Sequence, residues 1–235
     1  MSNKILLFSA LYDNILIISG GDTVTDNKYN PLKGKTVIFL GSSVTCGSAA
    51  GGVSFADFLE KEDGIISIKE AVSGTTLVDG DSTSYVSRMK TINRCIKADA
   101  FVCQLSTNDA SLKKPLGEIS NSFDIDSFDT QTVAGAIEYI IAYARRTWNC
   151  PVIFYTGTKY DSEIYGEMVG LLLEIQKKWN IGVLDLWNSE EMNAVSPEDY
   201  DYYMANGIHP NIEGYRRWWT PQFRKYLTEL FARCN

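Results

Sequence analysis

Five short apolar runs, separated by stretches of helical periodicity, limit what this chain can fold into more than any other feature. The first, residues 35–40, reads Lys-Thr-Val-Ile-Phe-Leu, and similar runs recur at 65–72, 100–105, 151–155 and 181–186. Each is close to continuous rather than alternating, which marks a strand covered on both faces. Between them, Val133, Ile137, Ile140, Ile141, Ala144 and Trp148 fall on one face of a helix, as do Ile164, Met168, Leu171, Leu172, Ile175 and Trp179. Both stripes read as core faces. Strand alternating with helix predicts an α/β domain: a five-stranded parallel sheet with right-handed crossovers and helices on both sides. A C-terminal helix over about 211–231 closes it, and Pro221 is expected to kink or split that helix.

The segment before the first run reads differently. Residues 4–19 are apolar enough to suggest a secretory leader, but Asp13 and Asn14 interrupt them and no small-residue cleavage site follows cleanly. The expectation is two short strands joined at 12–14. This divides the chain into an N-terminal β-hairpin extension with a polar linker, residues 1–34, and one domain, residues 35–235. No apolar run reaches the roughly 18 residues of a membrane span. A net charge of -7 argues against a surface that tracks nucleic-acid phosphates. The five cysteines (Cys46, Cys95, Cys103, Cys150, Cys234) are odd in number, scattered and without a C-x-x-C pair. With a single histidine there is no zinc-ligand pattern, so no metal or cofactor is expected, and reduced thiols in a cytoplasmic protein are. The connection 110–127 is longer than usual and is expected to flank a substrate.

Ligands of an open parallel sheet bind beyond the carboxyl ends of its strands. After the first run comes Gly41-Ser42-Ser43, after the second Ser73-Gly74-Thr75, after the third Ser106-Thr107-Asn108-Asp109. Beyond the fifth lies His209, the one histidine of the chain, in Asn206-Gly207-Ile208-His209. Imidazole is the usual general base near neutral pH, because its unperturbed pKa is about 6.5. Taken singly, each block is bland: a tight turn, a loop pair, a packed histidine. Together they supply a hydroxyl, a bare glycine amide, a carboxamide and an imidazole on one sheet edge, the set that acyl transfer needs.

In block order and spacing these residues resemble the SGNH (GDSL-type) hydrolases over roughly 35–233. The resemblance implies a flavodoxin-like three-layer α/β/α sandwich and an esterase, lipase, thioesterase or carbohydrate deacetylase. Position by position, it makes Ser43 the nucleophile and His209 its base. The oxyanion hole would be the Ser43 and Gly74 amides with the Asn108 side chain, and the N-terminus of the helix after Ser43 would add partial positive charge. Three residues depart from the family pattern. Ser42 replaces an aspartate outside the nucleophile role, and Ser106 replaces a glycine, narrowing backbone freedom beside Asn108.

The third departure is Asn206, where the triad carboxylate is expected. In a serine protease the Asp-to-Asn change costs about 10⁴ in kcat, because the amide favours the wrong imidazole tautomer. Three resolutions stand: a Ser–His dyad with a neutral orienter, a substitute carboxylate such as Asp199 or Asp201, or an impaired site. The dyad is favoured, since Ser43, Asn108 and His209 are all retained. Cys46 is an alternative nucleophile, but it lies three residues past the serine of the block. Trp218 and Trp219 read as core rather than as a platform for sugar.

The expected activity is therefore hydrolysis of a small-molecule ester, with a short acyl group such as acetyl on a carbohydrate or other alcohol. A binding module with catalysis lost at Asn206, or an acyltransferase using the same acyl-enzyme, are the alternatives. The sequence leaves room for a homo-oligomer.

Overall fold

The apolar runs become strands because two helical layers enclose them. In the computed structural model, which describes residues 29–233, β1 (Thr36–Gly41), β2 (Ile66–Ala71), β3 (Ala100–Gln104), β4 (Val152–Tyr155) and β5 (Gly182–Leu184) form one parallel sheet. Their order is β2-β1-β3-β4-β5. After β1 come α1 (Ser43–Cys46) and α2 (Phe55–Phe58); after β2 comes α3 (Tyr85–Arg88). After β3 come α4 (Thr107–Ser111) and α5 (Val133–Trp148), and after β4 comes α6 (Glu163–Trp179). After β5 come α7 (Glu190–Asn193), α8 (Pro197–Tyr203) and α9 (Thr220–Ala232). This is the flavodoxin-like three-layer sandwich expected.

Strand pleating divides the core in two. Ile38, Leu40, Phe101, Cys103 and Phe154 face one layer with Ile137, Ile141, Met168 and Leu172 of α5 and α6. Val37, Phe39, Val102, Ile153 and Tyr155 face the other with Phe55, Phe223 and Leu227 of α2 and α9. Phe55 and Phe223 stack there with ring centroids 3.7 Å apart. Thr132 and Ser162 cap the starts of α5 and α6 through their hydroxyls, and Asn149 and Asn180 end them in the left-handed region.

Several expectations need correction. Cover on both faces holds for β1, β3 and β4, whereas the edge strands β2 and β5 are only half-buried, and Ile66 of β2 is 52% exposed. Pro221 does split the C-terminal helix as expected, the change of winding falling just before it. A π-helical segment (Gly214–Trp219) precedes α9, and Pro221 falls in the first turn of α9. There its missing N–H costs least. The N–H of Thr220 reaches back five residues to Tyr215 O, and its hydroxyl donates to the same oxygen at 2.7 Å. The first part of the 110–127 connection stays beside the strand ends, where Lys114 N–H donates to Asp109 O at 2.9 Å, and its second part leaves them. That second part packs along α5 and α6: Ser120 N–H donates to Glu138 Oε2 at 2.8 Å, and Lys178 Nζ donates to the carbonyls of Ser120 and Ser122 at 2.6 Å. Lys178 is in the last turn of α6, at the opposite edge of the sheet from the glycine-serine turn. The hairpin expected at the N-terminus lies outside the described residues. Of the linker, residues 31–34 form a turn that buries Leu32 in the core.

Candidate active site

Parallel register fixes which loops can meet. Gly41 pairs with Ala71, and Leu40 pairs with Cys103, so β1 ends beside both β2 and β3. The strand order reverses direction at this point, which places a crevice between the turns that follow β1 and β3. Ser43, Gly74 and Asn108 all emerge within a few residues of those ends.

Local sequence explains the turn that presents Ser43. A Cβ on Gly41 would stand 1.8 Å from Thr45 Oγ1, so only glycine fits where the chain leaves β1. Ser43 then opens α1, which Gly47 closes at φ +79 with its N–H on Ser43 O. From β3, the buried Gln104 carboxamide holds this turn. Its Oε1 accepts from Ser42 N (3.0 Å), Thr45 N (3.2 Å) and Thr45 Oγ1 (2.9 Å). With α1 only four residues long, the helix dipole expected behind Ser43 shrinks to a single turn.

His209 reaches Ser43 from a closed loop. Met204 and Pro210 form an antiparallel bridge, Ala205 N–H donates to His209 O at 2.9 Å, and Asn211 N–H donates to Tyr203 O at 2.9 Å. His209 Nε2 lies 2.7 Å from Ser43 Oγ, across 166 residues of chain. Its Nδ1 lies 3.0 Å from Asn206 Oδ1. The same oxygen accepts the backbone N–H groups of Ile208 and His209, both at 3.0 Å. Those two donors identify the atom as oxygen, since an NH₂ turned toward them would meet donor with donor. With Oδ1 so placed, neutral His209 carries its proton on Nδ1, and Nε2 is left to accept from the Ser43 hydroxyl. The amide that threatened the wrong tautomer is thus locked by its own loop in the favourable one.

The alternatives to Asn206 are elsewhere. Asp199 Oδ2 accepts from Ser196 Oγ at 3.0 Å, and Asp201 lines a neighbouring cavity. Cys46 sits at the far end of α1, while Nε2 is taken up by Ser43. Burial lowers the His209 pKa below its ordinary value.

Gly74 and Asn108 meet through Thr75. Asn108 Nδ2 donates to Thr75 O at 2.9 Å, directly after Gly74, which sits at φ +79 with nothing within 4 Å of where a Cβ would stand. Asp109, wholly buried, accepts from Leu77 N (2.7 Å) and Val78 N (3.0 Å) and so pins the rest of that loop. Burial raises its pKa, offset in part by hydrogen bonds from Ser106, Leu77 and Val78. Ser106 has φ -72, an ordinary extended value, so the family's glycine is not needed here; its hydroxyl caps α4 instead.

Sequence reasoning passed over Gln104 and gave Asp109 and Thr75, though named in their blocks, no role of their own. The signal was present for Gln104, a carboxamide at the end of an apolar run, since a buried polar group there needs partners. Trp219 is fully buried, as expected. Trp218 is half-buried against the same core and also lines a cavity of about 600 Å³ with Tyr160, Asp161, Tyr200 and Asp201. Neither Ser43 nor His209 lines this cavity, but Tyr200 connects it to the histidine loop by donating to Gly207 O at 3.3 Å. Among the described residues, no three His, Cys, Asp or Glu side chains gather as metal ligands, and no helix is long and apolar enough to cross a membrane.

The sequence pattern of the GDSL-like lipase/acylhydrolase family matches residues 39–217. Among solved structures, the chain is similar to a protein from Lactobacillus plantarum (19% identity, TM-score 0.70, covering 84% of this chain and 98% of that one). It is similar to a possible lipase from Chitinophaga pinensis (17% identity, TM-score 0.62, 83% and 98%). It is also similar to an acetyl xylan esterase (16% identity, TM-score 0.57, 82% and 99%). At these identities the likeness is one of fold. No curated protein matches the chain.

Proposed function

The chain belongs to the GDSL-like lipase/acylhydrolase family, and from that premise we propose that it is a serine esterase working through Ser43, His209 and Asn206. The observation that carries this reading is the continuous chain from Ser43 Oγ through the imidazole to Asn206 Oδ1. In the proposed reaction His209 Nε2 takes the Ser43 proton as Oγ attacks the ester carbonyl. The oxyanion meets the Ser43 and Gly74 amides and the Asn108 carboxamide, each such donor being worth about 3 kcal/mol. His209 then protonates the departing alcohol, and water, deprotonated by the same nitrogen, releases the acid from the acyl-enzyme. Asn206 holds the imidazole in register and in its tautomer but contributes no charge.

For substrate, the reading takes a short acyl group such as acetyl on a carbohydrate. The cavity beside the histidine loop, walled by Tyr160, Tyr200 and Trp218 with Asp161 and Asp201, supports this, since sugars stack on aromatic faces and donate to carboxylates. The free thiols of Cys46, Cys95, Cys103 and Cys150 support a reducing, cytoplasmic setting. A second reading, a ligand-binding module with catalysis lost, is favoured by one observation: the position that orients His209 carries no charge.

The test compares wild type with Ser43→Ala for acetate release from acetylated oligosaccharides and from p-nitrophenyl acetate, alongside labelling by a fluorophosphonate. Wild type should turn over and be labelled, and Ser43→Ala should lose on the order of 10⁴ to 10⁶ in rate. Equal rates for the two proteins would refute the esterase reading.

A further inference from the structure

The guanidinium of Arg88, at the end of α3 and only 6% exposed, has five N–H donors in one plane, and each has a partner. Nε donates to Thr83 O at 2.8 Å. Nη1 donates to the main-chain oxygen of Glu70 at 3.1 Å and to its carboxylate at 3.0 Å. Nη2 donates to Gly41 O at 2.7 Å and to Thr75 Oγ1 at 3.1 Å. The last pair matters most. Gly41 ends β1 two residues before Ser43, and Thr75 directly follows Gly74. One nitrogen therefore ties the strand that presents the hydroxyl to the loop that presents the glycine amide.

Thr75 is the point at which that loop is held. Its hydroxyl accepts from Arg88 and donates to Val72 O at 2.7 Å, while its carbonyl accepts from Asn108. Gly74, exposed and with nothing within 4 Å of where a Cβ would stand, has no side chain with which to hold itself. The direction of its N–H follows from where Thr75 is clamped.

We propose that Arg88 is a positioning residue for acyl transfer, fixing the separation between Ser43 Oγ and the Gly74 amide through Gly41 O and the Thr75 hydroxyl. This rests on the reading of Ser43 as nucleophile and Gly74 as oxyanion donor. A lysine could not replace it, having three donors at the end of a flexible stem instead of a planar fork. The ester in its ground state needs no such spacing; the tetrahedral state does. Loss of the clamp therefore falls on kcat and leaves KM little changed.

The experiment uses Thr75→Val, which keeps shape at Thr75 and leaves Arg88 with its four other bonds but also removes the hydroxyl's bond to Val72 O, beside Arg88→Lys and Arg88→Met, which spare that bond. Readouts are kcat and KM on p-nitrophenyl acetate, the affinity of a boronic acid that forms a tetrahedral adduct on Ser43, the pH profile and the melting temperature. Ser43→Ala serves as the blank. Thr75→Val and Arg88→Lys should each lose about 10- to 100-fold in kcat. Boronate affinity should weaken in step, with KM within about threefold and the acid limb unmoved, because the Ser43–His209–Asn206 chain is untouched. If the Arg88 variants do not fold, Thr75→Val decides. A Thr75→Val enzyme with a lowered melting temperature but wild-type kcat and boronate affinity overturns the proposal, because Arg88 is then structural only. A wild type no faster than Ser43→Ala overturns the nucleophile reading itself, and this one with it.

Discussion

Replacing Asn206 by aspartate separates what the neutral orienter supplies from what it lacks. The substitution is nearly isosteric, and a carboxylate can still accept the N–H groups of Ile208 and His209 that Asn206 Oδ1 accepts at 3.0 Å. The serine-protease penalty of about 10⁴ for an amide at this position arises from the wrong tautomer. Here the tautomer is already set, because Oδ1 faces Nδ1 at 3.0 Å. Only charge remains to be gained. A carboxylate beside an imidazole raises its pKa by about one to three units, and Asn206 is exposed, so solvent holds the effect to the low end. One unit is about 1.4 kcal/mol of imidazolium stabilisation, or about tenfold in rate. Asn206→Asp should therefore raise kcat by about tenfold and move the acid limb of kcat/KM up by about one pH unit. Initial rates of acetate release between pH 4 and 8 read both quantities. A gain of 10³ or more would refute the reasoning, since the wild-type amide must then have been turned the wrong way. An unmoved limb would refute the contact itself.

Wild-type kcat/KM should rise through the His209 ionisation with a midpoint below 6.5, because burial depresses that pKa and only the neutral imidazole accepts the Ser43 proton. A midpoint above 6.5 in a pH–rate profile would require a carboxylate at Nδ1. The same depression means that the unfolded chain takes up the proton first, so any His209 contribution to stability is present above 6.5 and lost as pH falls through the folded value. Asp109→Asn leaves one acceptor for the two buried N–H groups of Leu77 and Val78, costing about 1–3 kcal/mol. A chain of this size should lose about 2–4 °C in melting temperature for each of those kcal/mol, and an unchanged melt would contradict the anchoring role. Phe55→Ala removes a fully buried ring stacked on Phe223 and should cost about 3–5 kcal/mol by denaturant titration. A loss under about 1 kcal/mol would mean that the two rings do not form the centre of that layer.

What the chain by itself determined was the α/β alternation, the strand ends and the blocks that follow them. Apolar periodicity is local, and strand pleating at period two or helical winding at 3.6 reads it directly. Residues 35–40 and the two stripes at 133–148 and 164–179 therefore translate into β1, α5 and α6 with shifts of a residue or so. Edge exposure of β2 was not legible, since a strand carries no mark of its place in the sheet until the order β2-β1-β3-β4-β5 exists. Nor was the path of the 110–127 connection, which Lys178 and Glu138 draw down along the helices from far away in sequence. At the site, residue types and order named Ser43, Gly74, Asn108 and His209, but the orientation of the Asn206 amide depends on two backbone N–H groups brought round by a closed loop. Arg88 could not be found at all from sequence, and Asp109 stood there only as the loop neighbour of Asn108. Their role is to satisfy main-chain oxygens and amides on other strands and loops, and a hydrogen bond across the fold leaves no periodic trace along the chain that makes it.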